Sequence, residues 1–180
     1  MGEKPIIGQK DALALAGAAL ISVLAIFLFS RVQGMSDLGY AGVFAISLVS
    51  SATIFAPMPG FAIVFAMGAF LNPALVGIAA GIGSGIGELS GYLAGYAGHG
   101  AVMRTKLFRQ HKEGVVKYGP LGIFALAFVP NPIFDIAGIA SGAIKMPVWQ
   151  FLAATICGKA LRYVLLAFAG DAAYGFWQWG

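Results

Sequence analysis

Phe128-Val129-Pro130-Asn131-Pro132-Ile133-Phe134-Asp135 lies inside an apolar run, Leu121 to Ile144, long enough to cross a bilayer as one helix. Its prolines forbid that, because each lacks a backbone N–H, collides with the preceding turn and pushes its predecessor out of the helical region. The run is cut into two arms of roughly ten residues, and a crossing needs about twenty. Neither arm spans alone, which predicts a re-entrant hairpin over 120–144 with its broken tip at membrane depth. Exposed backbone is tolerated there only inside protein or beside water, so the tip is expected to line a path.

Hydrophobic residues make up 59% of the 180-residue chain and charged residues only 10%, where a soluble domain is about a quarter charged. The chain therefore reads as an all-α integral membrane protein. The net charge of +4 does not point to nucleic acid, because Arg104, Lys106, Arg109, Lys112 and Lys117 cluster in one segment, 103–118. That pattern sets membrane orientation and predicts a basic cytoplasmic loop. Cys157 alone makes no internal disulfide and reads as a small hydrophobe. His99 and His111 lack metal-ligand company, and no Ser, His and Asp set has a recognisable frame. The run Gly81 to Gly87 does not fit a dinucleotide loop. No catalytic residue, metal or cofactor is expected, and the chain does not read as an enzyme.

The remaining elements follow from apolar length. A polar stretch, 1–11, precedes a span over 12–30, read as a retained helix because Arg31-Val32-Gln33 offers no cleavage site. A second proline-broken run, re-entrant over 44–71, has its tip at Pro57-Met58-Pro59-Gly60. A span over 74–97 carries Gly83, Gly87, Gly91 and Gly95 on one face, a spacing that lets another helix approach closely. The last span covers 148–169, with a tail over 171–180 whose Trp177 and Trp179 read as interfacial anchors.

An offset of 74 residues superposes Ala66 to Pro73 on Ala140 to Pro147, with Ala, Gly, Ala and Pro identical. Each copy follows a proline-broken run and precedes a span, so the unit of hairpin plus helix repeats over 40–97 and 120–170. One crossing separates the two hairpins, which predicts entry from opposite faces, an inverted repeat of the kind secondary transporters use. With the basic loop inside, the amino terminus is cytoplasmic. Six ordinary kinked helices are the simpler alternative.

Glu88, Asp135, Lys159 and Arg162 fall inside these membrane segments, where each charge costs on the order of 2.5 to 3.5 kcal/mol on insertion scales. At about 1.5 Å per residue, Lys159 lies roughly 18 Å from Pro147 and the tip before Asp135 roughly 16 Å from Gly119, so the two are expected to meet. Glu88 and Arg162, equivalent under the repeat, fall roughly 14 Å apart in depth. The four charges, with Asn131, either line a hydrated path or only neutralise one another.

The stretch Val129-Pro130-Asn131-Pro132-Ile133-Phe134-Asp135-Ile136-Ala137-Gly138, with Trp149, Phe151, Ala154-Thr155 and Gly158-Lys159-Ala160, resembles the VTT domain of the DedA superfamily. Gly83-Ser84-Gly85-Ile86-Gly87-Glu88-Leu89 matches its vacuole membrane protein branch, and the resemblance covers 40–170. It implies two opposed re-entrant hairpins, with Pro57, Pro59, Gly60, Pro130 and Pro132 at the tips. It also implies lipid transport: bacterial members resemble flippases for undecaprenyl phosphate or phosphatidylethanolamine, and eukaryotic relatives scramble phospholipids. The flippase pattern carries acidic residues around its first hairpin and arginines around its second. Here the first hairpin is uncharged and the second carries Asp135. The sequence therefore favours ATP-independent phospholipid scrambling in a bacterial or archaeal cytoplasmic membrane. A proton-coupled flippase, with Lys159 and Arg162 on the phosphate, and a non-transporting scaffold that oligomerises through the glycine seam are the alternatives.

Overall fold

The structure is a computed structural model that describes residues 35–52, 59–97, 104–131 and 133–179. The expected span over 12–30, and Pro57 and Pro132 of the two tips, lie outside the described residues. Within them the chain forms α1 (Met35–Ala52), α2 (Pro59–Gly68), α3 (Pro73–Gly87), α4 (Leu89–Ala97), α5 (Lys106–Phe128), α6 (Ile133–Ala143) and α7 (Val148–Trp179), and no strand. Two rods, Pro73–Ala97 and Val148–Trp177, are long and apolar enough to cross a membrane. The first is α3 and α4 joined through a tightened turn at Glu88, whose φ and ψ are −66° and −13°.

Caps account for the element boundaries. The Asn72 carboxamide accepts from the N–H groups of Ala74 (3.1 Å) and Leu75 (3.2 Å), and Pro73 opens α3 where a missing N–H costs nothing. At the break between α5 and α6, Pro130 has no N–H to give the Leu126 carbonyl. Asn131 replaces it: its Nδ2 donates to the carbonyls of Leu126 (3.1 Å) and Val129 (2.7 Å), and its Oδ1 accepts from the Phe134 N–H (3.0 Å). One side chain thus closes α5 and opens α6. At the far end of α6, Lys145 takes a left-handed φ of 58°, and Met146 N–H reaches back to the Ser141 carbonyl.

Two boundaries differ from expectation. The basic segment 103–118 is helical from Lys106 onward and runs into α5, changing direction at Gly119, where φ is 48° ahead of Pro120. Lys, Arg, Gln and Glu are good helix formers, so the polar composition of the segment does not oppose helix. The tail 171–180 is likewise helical through Trp179, because no proline interrupts α7 and its backbone bonding simply continues.

Glycines set how closely the rods approach. Gly77, Gly81 and Gly85 of α3 face Val164, Ala160 and Ile156 of α7, so the two run antiparallel; a Cβ on any of the three would lie 2.4 Å from its neighbour. On another side of the same rod, Gly83 and Gly87 rest on the Phe44 and Leu48 carbonyls of α1, and Gly95 on the Ile139 carbonyl of α6. Gly91, expected on that seam, meets nothing nearer than Ile139 at 4.0 Å. Two further contacts are reciprocal: Gly68 of α2 meets the Ala167 carbonyl while Gly170 meets that of Phe65, and Gly142 of α6 meets the Tyr92 carbonyl while Gly95 meets that of Ile139.

The apolar core is split in two. Val43, Val64, Met67, Val76, Ala80, Tyr163 and Ala167 form one cluster, and Tyr92, Ile123, Ala127, Phe134, Ala137, Met146, Phe151 and Ala154 the other. Outside, Leu75, Ile78, Ile82, Ile86 and Leu93 stand exposed along the first rod and Leu161, Leu165 and Phe168 along α7. Apolar stripes of that length suit lipid rather than water.

Gly81→Ala is expected to lower unfolding free energy in mixed micelles by about 1–3 kcal/mol, since overpacking an α-carbon contact forces the rods apart. Gly91→Ala should cost nothing measurable, and equal losses at both positions would contradict the seam. Asn131→Ala should cost about 1–3 kcal/mol through the orphaned Leu126 carbonyl. Asn131→Asp keeps the acceptor for Phe134 but loses both donors, so it should recover only part of the loss.

Candidate functional site

The α3–α7 pair carries a polar centre between its two apolar clusters. Along the first rod the order is Val76 and Ala80, then Ser84 and Glu88, then Tyr92; along α7 it is Phe151 and Ala154, then Thr155 and Lys159, then Tyr163 and Ala167. Lys159 lies roughly 16 Å along α7, about the middle of a 30 Å hydrocarbon core. It is 3% exposed, and Glu88 is 8% exposed.

An ammonium in that position has three N–H groups to satisfy. The Nζ of Lys159 is ion-paired with Oε1 of Glu88, donates to Ser84 Oγ at 2.8 Å and reaches Ser51 Oγ at 3.4 Å. The two serine hydroxyls lie 2.5 Å apart. The Phe134 ring, in the first turn of α6, covers the ammonium at 5.0 Å. Ser90 Oγ donates to the carbonyls of Gly87 (3.0 Å) and Ala52 (3.1 Å), fastening the end of α1 beside the pair. Four helices, α1, α3, α6 and α7, therefore converge on one charge.

Lys159 is held by Glu88 and not by Asp135, the partner expected from depth. The reason is the direction of side chains: on a helix they lean toward the amino terminus. In an antiparallel pair Lys159 and Glu88 therefore lean toward each other across a gap that backbone depth overstates. Asp135 is half-buried in the first turn of α6, where the helix end favours a carboxylate. Its charge acts on Lys159 and Glu88, but it forms no ion pair among the described residues.

Arg162 lies one turn beyond Lys159 on α7. Its guanidinium is 4.9 Å from the Phe61 ring of α2 and 5.0 Å from the Tyr163 ring, which themselves stand 5.4 Å apart. Its Nε is buried and has no hydrogen-bond partner among the described residues, and the same holds for Thr155 Oγ1. Thr155, Lys159 and Arg162 are spaced four and three residues apart and so share one face. Asn131 is spent on the break it caps. No group of three potential metal ligands exists among the described residues.

The sequence reading names Ser84, Thr155 and Phe134 only within family motifs, and gives neither them nor Ser51 and Phe61 a place in the site. Ser84 and Thr155 each precede a buried charge by four residues, a helical-neighbour signal that was available. Ser51 becomes a neighbour only through packing of α1 on α3.

Residues 58–172 match the VTT domain family model. Vacuole membrane protein 1 of Bos taurus is 42% identical over 73 residues, covering 37% of this chain and 18% of that protein. The human protein of that name is 51% identical over 47 residues, 26% of this chain and 12% of its own length. The Dictyostelium discoideum homologue is 46% identical over 57 residues, 28% and 14%. This chain thus matches less than a fifth of the length of these relatives. No solved structure matches it. With the family model spanning well over half the chain, and two bilayer-length rods clad in apolar side chains, the chain is an integral membrane protein of the VTT-domain, DedA family.

Proposed function

We propose that the chain transports membrane lipid, letting phospholipids exchange between leaflets without ATP along a hydrated path at two opposed re-entrant hairpins. The observation that carries this reading is the polar face of α7: a buried hydroxyl and a buried guanidinium nitrogen, without partners among the described residues, flank a satisfied ion pair at mid-bilayer depth. A closed, purely structural centre gains nothing from unsatisfied polar atoms, each of which costs about 1–3 kcal/mol. Water or a headgroup along that face satisfies them.

The inverted-repeat part of the proposal draws support from the packing. Gly83 and Gly87 meet Phe44 and Leu48 at a constant offset, as in helices that run the same way, so α2 between α1 and α3 turns back. The reciprocal contact of Gly68 and Phe65 with α7 recurs 74 residues later as that of Gly142 and Ile139 with α4. A left-handed glycine, Gly39 or Gly119, precedes the first arm of each hairpin. We propose a bacterial or archaeal cytoplasmic membrane with the start of α5 and the amino terminus on the cytoplasmic side, an orientation that the basic residues of segment 103–118 support.

Transport is chemically passive on this reading, and the protein is not an enzyme. Asp135, a carboxyl without an ion pair among the described residues, supports the second reading, a proton-coupled flippase. A silent scaffold that oligomerises is the third.

Proteoliposomes loaded with a fluorescent phospholipid discriminate the three. Without a pH gradient, a membrane-impermeant quencher should reach nearly all the label instead of about half, the outer-leaflet share of two equivalent leaflets. Dependence on a gradient favours the flippase, and no exchange under either condition favours the scaffold. Thr155→Val removes an unpartnered hydroxyl at constant shape, so stability should hold or rise while exchange slows several-fold. Wild-type exchange in that variant would count against a wet α7 face.

A further inference from the structure

Of the four charges at membrane depth, Lys159 and Glu88 pair, while Arg162 and Asp135 form no ion pair among the described residues. Lys159 and Glu88 cancel, and every ammonium N–H has an acceptor. Arg162 Nε has none among the described residues: Glu88 is the carboxylate whose charge reaches the guanidinium, and that carboxylate is already bound to Lys159. Nor is the guanidinium free to turn. Phe61 and Tyr163 hold it at 4.9 and 5.0 Å, in the range where ring faces attract a guanidinium. Beside this clamp lies the guanidinium's in-plane edge, where buried Nε–H has no acceptor among the described residues. That edge is a fork of parallel donors matched to two oxygens of one anion, which a lysine ammonium cannot reproduce.

We infer that Arg162, clamped by Phe61 and Tyr163, is a binding site for a phosphate-type oxyanion, the phosphodiester of a lipid headgroup or free phosphate. The lipid form of the inference rests on the transport reading. It assigns the headgroup contact to the first hairpin, which supplies Phe61, and removes Lys159 from it, since displacing Glu88 would leave a bare buried carboxylate. The two cations of α7 thereby part in role: Lys159, over Phe134 at the second hairpin, holds the fold, and Arg162, against Phe61 at the first, receives the ligand.

Purified full-length protein in an uncharged detergent, titrated with dihexanoyl phosphatidylglycerol and followed by phosphorus NMR line broadening, tests this. Saturable broadening is expected in the wild type, with dihexanoylglycerol failing to compete and inorganic phosphate competing. Arg162→Gln should abolish it; Arg162→Lys, which keeps the charge without the fork, should weaken binding about tenfold. Phe61→Leu keeps an apolar side chain and should weaken binding while the protein still unfolds cooperatively, which covers the case of a misfolded Arg162→Gln. Wild-type binding in Arg162→Gln, or in both Arg162→Lys and Phe61→Leu, overturns the site. Binding of inorganic phosphate without the lipid overturns the lipid as its source. Scrambling separates the two claims: Arg162-dependent binding with no exchange by the wild type refutes the transport reading alone, and wild-type exchange with binding retained in the Arg162 variants refutes the Arg162 site alone.

Discussion

A lysine ammonium at the middle of a bilayer must be met by donors' partners in protein, because hydrocarbon supplies none, and here Glu88, Ser84 and Ser51 meet it from two other helices. The rest of the architecture serves that contact. Ser84 and Glu88 come within reach only because Gly77, Gly81 and Gly85 let α3 lie against α7 at backbone distance. Ser51 arrives because Gly83 and Gly87 accept the carbonyls of α1. Removing one partner leaves a charge that costs several kcal/mol, so the glycines and the ion pair depend on each other.

Much of the fold was legible because it rests on local covalent facts. Two prolines either side of Asn131 stop a helix whatever surrounds them, and the structure breaks there, between α5 and α6. Apolar runs of bilayer length marked both rods. The glycine face was read in part: Gly83 and Gly87 pack on α1 and Gly95 on α6, but the closer seam against α7, Gly77, Gly81 and Gly85, went unread because a run with glycine at alternate positions offers two helix faces at once. Helix ends were less legible, since charge told the basic start of α5 and the end of α7 from lipid-facing helix but said nothing against helix itself.

The candidate site was legible as a set of charges and illegible as a set of pairs. Residue depth along a helix axis is simple arithmetic, yet the lean of each side chain toward its own amino terminus moves an antiparallel pair together by a distance that arithmetic omits. Asp135 accordingly yields Lys159 to Glu88. Asn131 shows the converse: a polar residue at a break looks like a path residue, and its whole hydrogen-bonding capacity goes to the Leu126, Val129 and Phe134 backbone. What separates structural from available polar groups is satisfaction, and by that measure Arg162 Nε and Thr155 Oγ1, without partners among the described residues, stand apart from Lys159 and Asn131.

Lys159 and Glu88 act as one unit at the centre of the bundle. A double-mutant cycle of Glu88→Gln and Lys159→Met, read by reversible unfolding in mixed micelles, measures that most directly. Each single change should cost about 3–5 kcal/mol by stranding a buried charge. The double variant should recover a large share, giving a coupling energy of at least about 1.5 kcal/mol. Additive losses, with coupling near zero, would contradict the central claim.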